Sequence, residues 1–179
     1  LRSDVAHARI NGVDTGAAAK MPGVVRIFTG ADFEGVGGLP CGWQVTDRHG
    51  EPMQEPPHPV LAQGKVRHVG DPIAAVVADT AEQARDAAEA IELDLEELPA
   101  VVDMRAALDA GSAKVHDDLP SNLCYDWGFV EDNRDAVDAA IKGAAHVTTL
   151  DLVNNRLVAN PMEPRVAVGD FNRSSGDST

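Results

Sequence analysis

The residues of this 179-residue chain that could carry chemistry are six histidines, two cysteines, a few paired acids and two glycine-bearing turns. His49, His58 and His68 lie near Cys41 and raise the question of a metal site. No pair of them has the helical spacing of three or four, or the strand spacing of two, by which zinc sites announce themselves. Surface or capping roles are therefore expected. Cys41 or Cys124 with a histidine would make a nucleophile and its base only if the fold brought them together, so buried or inert thiols are the expectation. There is no G-x-S-x-G elbow for a serine hydrolase. "GVGGLPCGW" (35–43) matches neither G-x-G-x-x-G nor a strand leading into a helix, and it reads as a glycine-rich turn. "QGKV" (63–66) fails as a P-loop end, because Pro59 stands at the first glycine position and Val66 follows the lysine. Glu96-Glu97 and Asp117-Asp118 are adjacent, which in a strand sends the two carboxylates to opposite faces and into solvent. Asn172-Arg173-Ser174 fits a glycosylation acceptor, with nothing else to indicate secretion.

The elements that must position these residues can be traced in the same sequence. A chain with 44% hydrophobic and only 4% aromatic residues, rich in Ala and Val, predicts a small-residue core between helices and a sheet. "AHARINGVD" (6–14) has strand character, "TGAAAKMPG" (15–23) reads as a short helix stopped by Pro22-Gly23, and "VVRIF" (24–28) as a buried strand. Residues 30–59 turn to Gly, Pro and polar types, a long surface excursion of the kind that usually covers something or contacts a partner. After the turn Gly70-Asp71-Pro72, "IAAVVA" (73–78) predicts a fully buried strand. Thr80 caps a helix with Gln83 reaching back, and Ala84, Ala87, Ala88 and Ile91 supply its apolar stripe. "IELDLEEL" (91–98) alternates as a half-exposed strand. A short helix over 102–111, capped by Asp103 and ended by Gly111, then precedes a linker over 112–122. Strands are expected near "CYDWGFV" (124–130) and "AHVTTLDLV" (145–153), with a helix between them capped by Asn133 and closed by Gly143. The class is α+β, because the connections of the strand-helix-strand unit are too short to force a doubly wound parallel sheet.

Charge and composition exclude several functions. The formal net charge of -14, from 29 acidic and 15 basic residues spread along the chain, argues against a nucleic-acid partner. Two cysteines are too few for a secreted disulfide scaffold and fit a reducing, cytoplasmic compartment. The start, "LRSDVAHARI", shows no apolar h-region and no cleavage site, and "IAAVVA", the longest apolar run, is too short to span a membrane. The chain lacks an initiator Met and opens inside a strand-like pattern, as a piece of a longer polypeptide would.

Two stretches, "RSDVAHARINGVDTGAAAKMPGVVRIFTGADF" (2–33) and "GKVRHVGDPIAAVVADTAEQARDAAEAIELDLEELPAVVD" (64–103), resemble the α/β-hammerhead domain that opens the large subunit of the molybdenum hydroxylases. That group comprises xanthine dehydrogenase, aldehyde oxidase and aerobic carbon monoxide dehydrogenase. "NNRLVANPMEPR" (154–165) resembles the start of the molybdopterin-binding domain that follows. His68 departs from a commoner Tyr, and Asp71 from a usual Glu.

The resemblance implies a hammerhead domain over 1–102, a linker over 103–124 and the first elements of a molybdopterin-binding domain over 125–179. It implies an oxidoreductase that hydroxylates a small-molecule substrate with water-derived oxygen at molybdopterin-bound molybdenum, and that passes electrons through 2Fe-2S clusters to FAD on other domains or subunits. The implied partners are the rest of the large subunit and the iron-sulfur and flavin subunits, without nucleic acid or a membrane span. The family's glycine-rich loop, its motif near the molybdenum and its catalytic glutamate lie downstream of Thr179, so no catalytic, cofactor-binding or metal residue is assigned here, and this segment alone is expected to be inactive.

The resemblance further implies that Asn155, Arg156, Pro161, Met162, Glu163, Pro164 and Arg165 form the structural motif entering the cofactor domain. The Asn160-Pro161 break is expected to turn the chain, with Arg156, Glu163 and Arg165 able to supply charge-assisted hydrogen bonds that hold the turn. The plain alternative is an ordinary strand connection with exposed charges. The "RVAV" strand (165–168) would be left with an unpaired edge. Two other readings of the whole are an aerobic carbon monoxide dehydrogenase large subunit and a stand-alone, non-catalytic hammerhead adaptor.

Overall fold

The computed structural model describes residues 1–128, 133–154, 157, 161–163 and 168–178. The chain divides into two compact units, Leu1–Glu131 and Asp132–Thr179.

The first unit is built from two small antiparallel sheets and one helix. Strand β1 (Ala8–Asp14) is the centre of a three-stranded sheet, flanked by β3 (Lys65–Val66) and β5 (Glu92–Glu97). Its register sets Arg9 opposite Lys65 on one side and Glu96 on the other, and Ile10 opposite Leu95, before an irregularity between Ile10 and Gly12 shifts the pairing. Strand β2 (Val24–Thr29) pairs with β4 (Ala74–Ala78) in the second sheet. Every ladder is antiparallel, and the α+β class read from the sequence holds.

Helix α1 (Ala81–Glu89) starts where the sequence placed it. Thr80 Oγ1 accepts a hydrogen bond from the Gln83 backbone N–H at 3.2 Å, and Gln83 Oε1 accepts one from the Thr80 N–H at 3.1 Å. Two of the helix's orphan donors are thereby satisfied. The apolar stripe seats the helix, with Ala87 and Ile91 buried and Ala84 and Ala88 half-buried. Gly23 (φ +78°) packs against Gln83, and a Cβ there would fall 2.2 Å from Gln83 Oε1. One core cluster gathers Ala8, Ala62, Val66 and Ile73, and the other Ala18, Ala74, Ala87 and Ile91. Val13 and Leu93 pack against both clusters and join them into one small-residue core.

Several expectations are corrected. The segment 15–23 forms only a 3-10 turn at Ala18–Lys20, because Pro22-Gly23 stops it before an α-helical ladder can start. Strand β2 is half-exposed rather than buried, with Val25 on the open face. In "IAAVVA", Ile73 and Ala74 are buried while Val77 faces solvent, since α1 covers only one side of this two-stranded sheet. The helix expected over 102–111 is a 3-10 turn at Ala106–Leu108. Asp103 does anchor it, its Oδ1 accepting from the Arg105 and Ala106 N–H groups.

Residues 112–122 make a locked loop. Asn122 donates from Nδ2 to Ala107 O and Ala113 O and accepts from Val115 N at Oδ1, and Lys114 Nζ donates to Asp117 O and Leu119 O. No strand forms at 124–128. Cys124 and Asp126 instead take hydrogen bonds at their carbonyls from Gln54 N and Arg48 N of the long loop.

In the second unit, α2 (Arg134–Gly143) matches the expected helix, but the Asn133 side chain makes no capping hydrogen bond and no residue of α2 is buried. The strand expected at 145–153 is absent, and Leu150, Leu152 and Val153 are exposed. Alternation supplied the apolar face there, but no strand pairs with it among the described residues. Phe171 and Ser178 bridge a terminal turn built on the Asn172 side chain.

Candidate functional site

Within the first unit, Gln63 and Arg67, which flank β3, and the end of the long loop form one wall of a cleft of about 330 Å³, and the loop 116–119 forms the other. Its apolar side is Pro56, Pro57, Pro59 and Leu119, and its polar side is Glu55, Gln63, Arg67, His116, Asp117 and Asp118. The proline run sets the apolar wall because it cannot join a sheet ladder and holds an extended, preorganised backbone.

The charges in this cleft are unequally partnered. Lys65 is buried and its Nζ lies 2.6 Å from Asp117 Oδ2, which ties β3 to the loop. Hydrogen bonding from Lys65 holds the Asp117 carboxyl below the usual carboxylate range. Glu55 is engaged at both oxygens, accepting from the Cys41 N–H at 2.6 Å and from Gln44 Nε2. Arg67 differs. Its backbone N–H donates to Asp71 Oδ2 at 2.9 Å, but its guanidinium forms no ion pair among the described residues, and Nε is buried without a partner.

Carrying the Ala8↔Val66 register one residue outward sets His7 beside Arg67. His7 is buried, and because a carbonyl only accepts, Nδ1–H donates to Pro99 O at 2.9 Å while Nε2 is left buried and unpartnered. Burial, followed by the charge of Arg67, lowers the His116 pKa against the opposing pull of Asp117 and Asp118. The cleft thus holds a neutral histidine beside an arginine without a carboxylate.

Residues 44–54 of the long loop fold into a hairpin-like arm, bridged at Thr46 and Pro52 and tightened by Asp47 Oδ1, which accepts from the His49 and Glu51 N–H groups. Arg48 pins the arm to Asp126 at 2.7 Å. Trp43 (79% exposed), Trp127 and Tyr125 lie open around it, so both tryptophans and the single tyrosine of the chain are on or beside this arm.

Of the residues singled out from the sequence, Pro161, Met162 and Glu163 are exposed, whereas Asn155, Arg156, Pro164 and Arg165, and all of "RVAV" but the exposed Val168, lie outside the described residues. His49, His58, His68 and His146 are exposed, as expected of surface histidines. His7 and His116 are the corrections, being buried and half-buried. The thiols of Cys41 and Cys124 are exposed rather than buried, and they donate to Trp43 O and Gln54 O. Sequence reasoning passed over Arg67 and His116 because they meet only through the β1–β3 register and the fold of loop 112–122.

Among the described residues no group of three or more His, Cys, Asp or Glu could hold a metal ion. No helix among them is long and apolar enough to cross a membrane.

Two antiparallel sheets packed with one helix, and a long arm hydrogen-bonded to Cys124 and Asp126, define a small α+β domain. The chain belongs to the aldehyde oxidase and xanthine dehydrogenase a/b hammerhead domain family, whose match covers residues 1–99. It is similar to the nicotine 6-hydroxylase large subunit of Paenarthrobacter nicotinovorans, 34% identical over 96% of this chain and 20% of that protein. The aldehyde oxidoreductase of Megalodesulfovibrio gigas is 33% identical over 93% of this chain and 18% of its own length. Among solved structures, quinoline 2-oxidoreductase from Pseudomonas putida 86 superposes with a TM-score of 0.59 at 39% identity, over 68% of this chain and 15% of that one. The chain therefore spans about a fifth of the length of the curated relatives it matches.

Proposed function

We propose that this chain is the opening segment of the large subunit of a molybdenum hydroxylase of the xanthine dehydrogenase and aldehyde oxidase type, structural in itself and not catalytic. The observation that carries the reading is similarity to nicotine 6-hydroxylase over 96% of the chain, well past the 1–99 family match. A free-standing hammerhead adaptor has no need of that continuation. The parent would oxidatively hydroxylate a small heteroaromatic or aldehyde, the classes that the names of its relatives carry. The molybdenum cofactor, when bound downstream, supplies the oxidation, and iron-sulfur and flavin subunits or domains take up the electrons.

In this reading, residues 1–102 form the hammerhead, 103–124 the linker and 125–179 the beginning of the molybdopterin-binding domain. The motif of Asn155, Arg156, Pro161, Met162, Glu163, Pro164 and Arg165 turns the chain into that domain. The arm within 30–59 contacts the neighbouring subunit through Trp43 and the adjoining Tyr125 and Trp127, residue types that dominate interface cores. Two unpaired cysteines fit a cytoplasmic setting.

The deciding experiment isolates the natural polypeptide that carries this sequence and measures its mass and molybdenum content. A product several times longer with stoichiometric molybdenum is expected. A stable product of about this length without molybdenum would leave the adaptor.

A further inference from the structure

The cleft over Arg67 has no role in the function proposed above. Arg67 is half-buried in the cleft wall, with Nη1 donating to the Lys65 carbonyl at 3.5 Å, Nε buried and unpaired, and no carboxylate on the guanidinium among the described residues, so its terminal fork of donors lacks a charged acceptor. Apart from Asp118 at the rim, the other carboxylates there are already engaged. Lys65 holds Asp117, and Glu55 accepts at both oxygens from Cys41 and Gln44. His116 adds no competing positive charge, because burial and Arg67 favour its neutral form.

We propose that this cleft is a binding site for a monocarboxylate with an apolar body. The carboxylate takes the planar donor fork of Arg67, whose geometry matches it. The apolar body lies along Pro56, Pro57, Pro59 and Leu119. The volume of about 330 Å³ suits a single-ring acid. Asp118, exposed at the rim, and the Glu55 carboxylate repel a second negative charge, so phosphate and dicarboxylates are disfavoured. The carboxylate has two possible sources: a free small-molecule acid, or an Asp or Glu side chain from elsewhere in the parent assembly.

The test uses the intact natural polypeptide, with benzoate as the probe in isothermal titration calorimetry. With a free-acid source, benzoate binds one-to-one, and Arg67→Gln weakens it by roughly tenfold or more, as loss of a charge-assisted pair requires. Arg67→Lys, which keeps the charge but loses the fork, falls between the two. Succinate and phosphate bind more weakly than benzoate. With a protein source, benzoate does not bind, and the structure of the intact assembly shows an Asp or Glu carboxylate on the Arg67 guanidinium. Benzoate binding that is unchanged in both variants overturns the proposal, as does absence of binding with no carboxylate on Arg67 in the assembly. If Arg67→Gln fails to fold, Arg67→Lys carries the comparison. Benzoate held at any other site would be indifferent to both substitutions.

Discussion

Lys65 Nζ sits 2.6 Å from Asp117 Oδ2, with the lysine side chain 10% exposed and the aspartate 63%. A buried cation is thus met by a carboxylate that reaches it from the solvent side, and the loop 112–122 is tied to β3 by that contact. Hydrogen bonding from Lys65, with the charges of Lys65, Arg9 and Lys114 behind it, keeps the Asp117 carboxyl below its usual range. A carboxyl whose folded pKa is depressed contributes stability above its unfolded pKa and loses it as pH falls toward the folded value. Hydrogen exchange of residues 114–119 is therefore expected to be faster in Asp117→Asn than in the wild type at neutral pH. The difference should begin to shrink only below the ordinary aspartate value of about 4 and vanish as pH falls through the depressed folded value, where the wild-type carboxyl itself protonates. Identical exchange at neutral pH would show that the contact does not hold the loop.

Thr80 and Gln83 cap α1 reciprocally, and Gly23 leaves the room that Gln83 needs. Thr80→Ala should lower the opening free energy of the first-turn amides of α1 by about 1 kcal/mol in native-state exchange. Gly23→Ala should cost more than that single cap. It forces a residue into φ +78° and drives a methyl into the Gln83 side chain, so the cap and the turn are lost together. Gln83→Ala removes the collision, and the double substitution should cost less than the sum of the singles. Strict additivity would separate Gly23 from the cap.

These elements also mark how far the sequence could be read. Thr80 and Gln83 at capping spacing, alanines at helical spacing and the alternation of Leu93 and Leu95 are local signals, and α1 and β5 formed where they pointed. Residues 145–153 carried an equally good alternation yet formed no strand, because a strand needs a partner and periodicity reports only a face. The sheets hid a different fact. Strands β4 and β5 flank one helix in sequence, but they pair with β2 and β1 in separate sheets, which no local pattern encodes. The cleft was illegible for the same reason. Arg67 and His116 are joined only by register and by a loop whose fold depends on the Asn122 amide.

Arg48 fixes the long arm through its ion pair with Asp126 and a contact to Trp127 O at 3.3 Å. Both side chains of the pair are partly exposed, so the ion pair contributes less than about 1 kcal/mol to overall stability. Its effect should be local. Arg48→Ala is expected to leave the melting temperature nearly unchanged while raising the rate of proteolytic cleavage within 44–54, read by mass spectrometry of the fragments. A large fall in melting temperature without new cleavage would mean that the arm supports the core instead.

His116 gives the most direct test of the cleft's electrostatics. Its pKa lies below the ordinary histidine value, first because burial penalises the charged ring and next because Arg67 repels it, with Asp117 and Asp118 pulling the other way. A histidine with a depressed folded pKa contributes stability that is present above its unfolded pKa of about 6.5 and is lost as pH falls through the folded value. In a titration of ring-labelled histidine, assigned with His116→Gln, the His116 midpoint should fall below the ordinary histidine value of about 6.5. Arg67→Gln should raise the midpoint by removing a positive neighbour, and Asp118→Asn should lower it further by removing a negative one. Opposite movements in the two variants would confirm that both charges face the ring. A midpoint that ignores both would place His116 outside their reach and leave burial as its only cause.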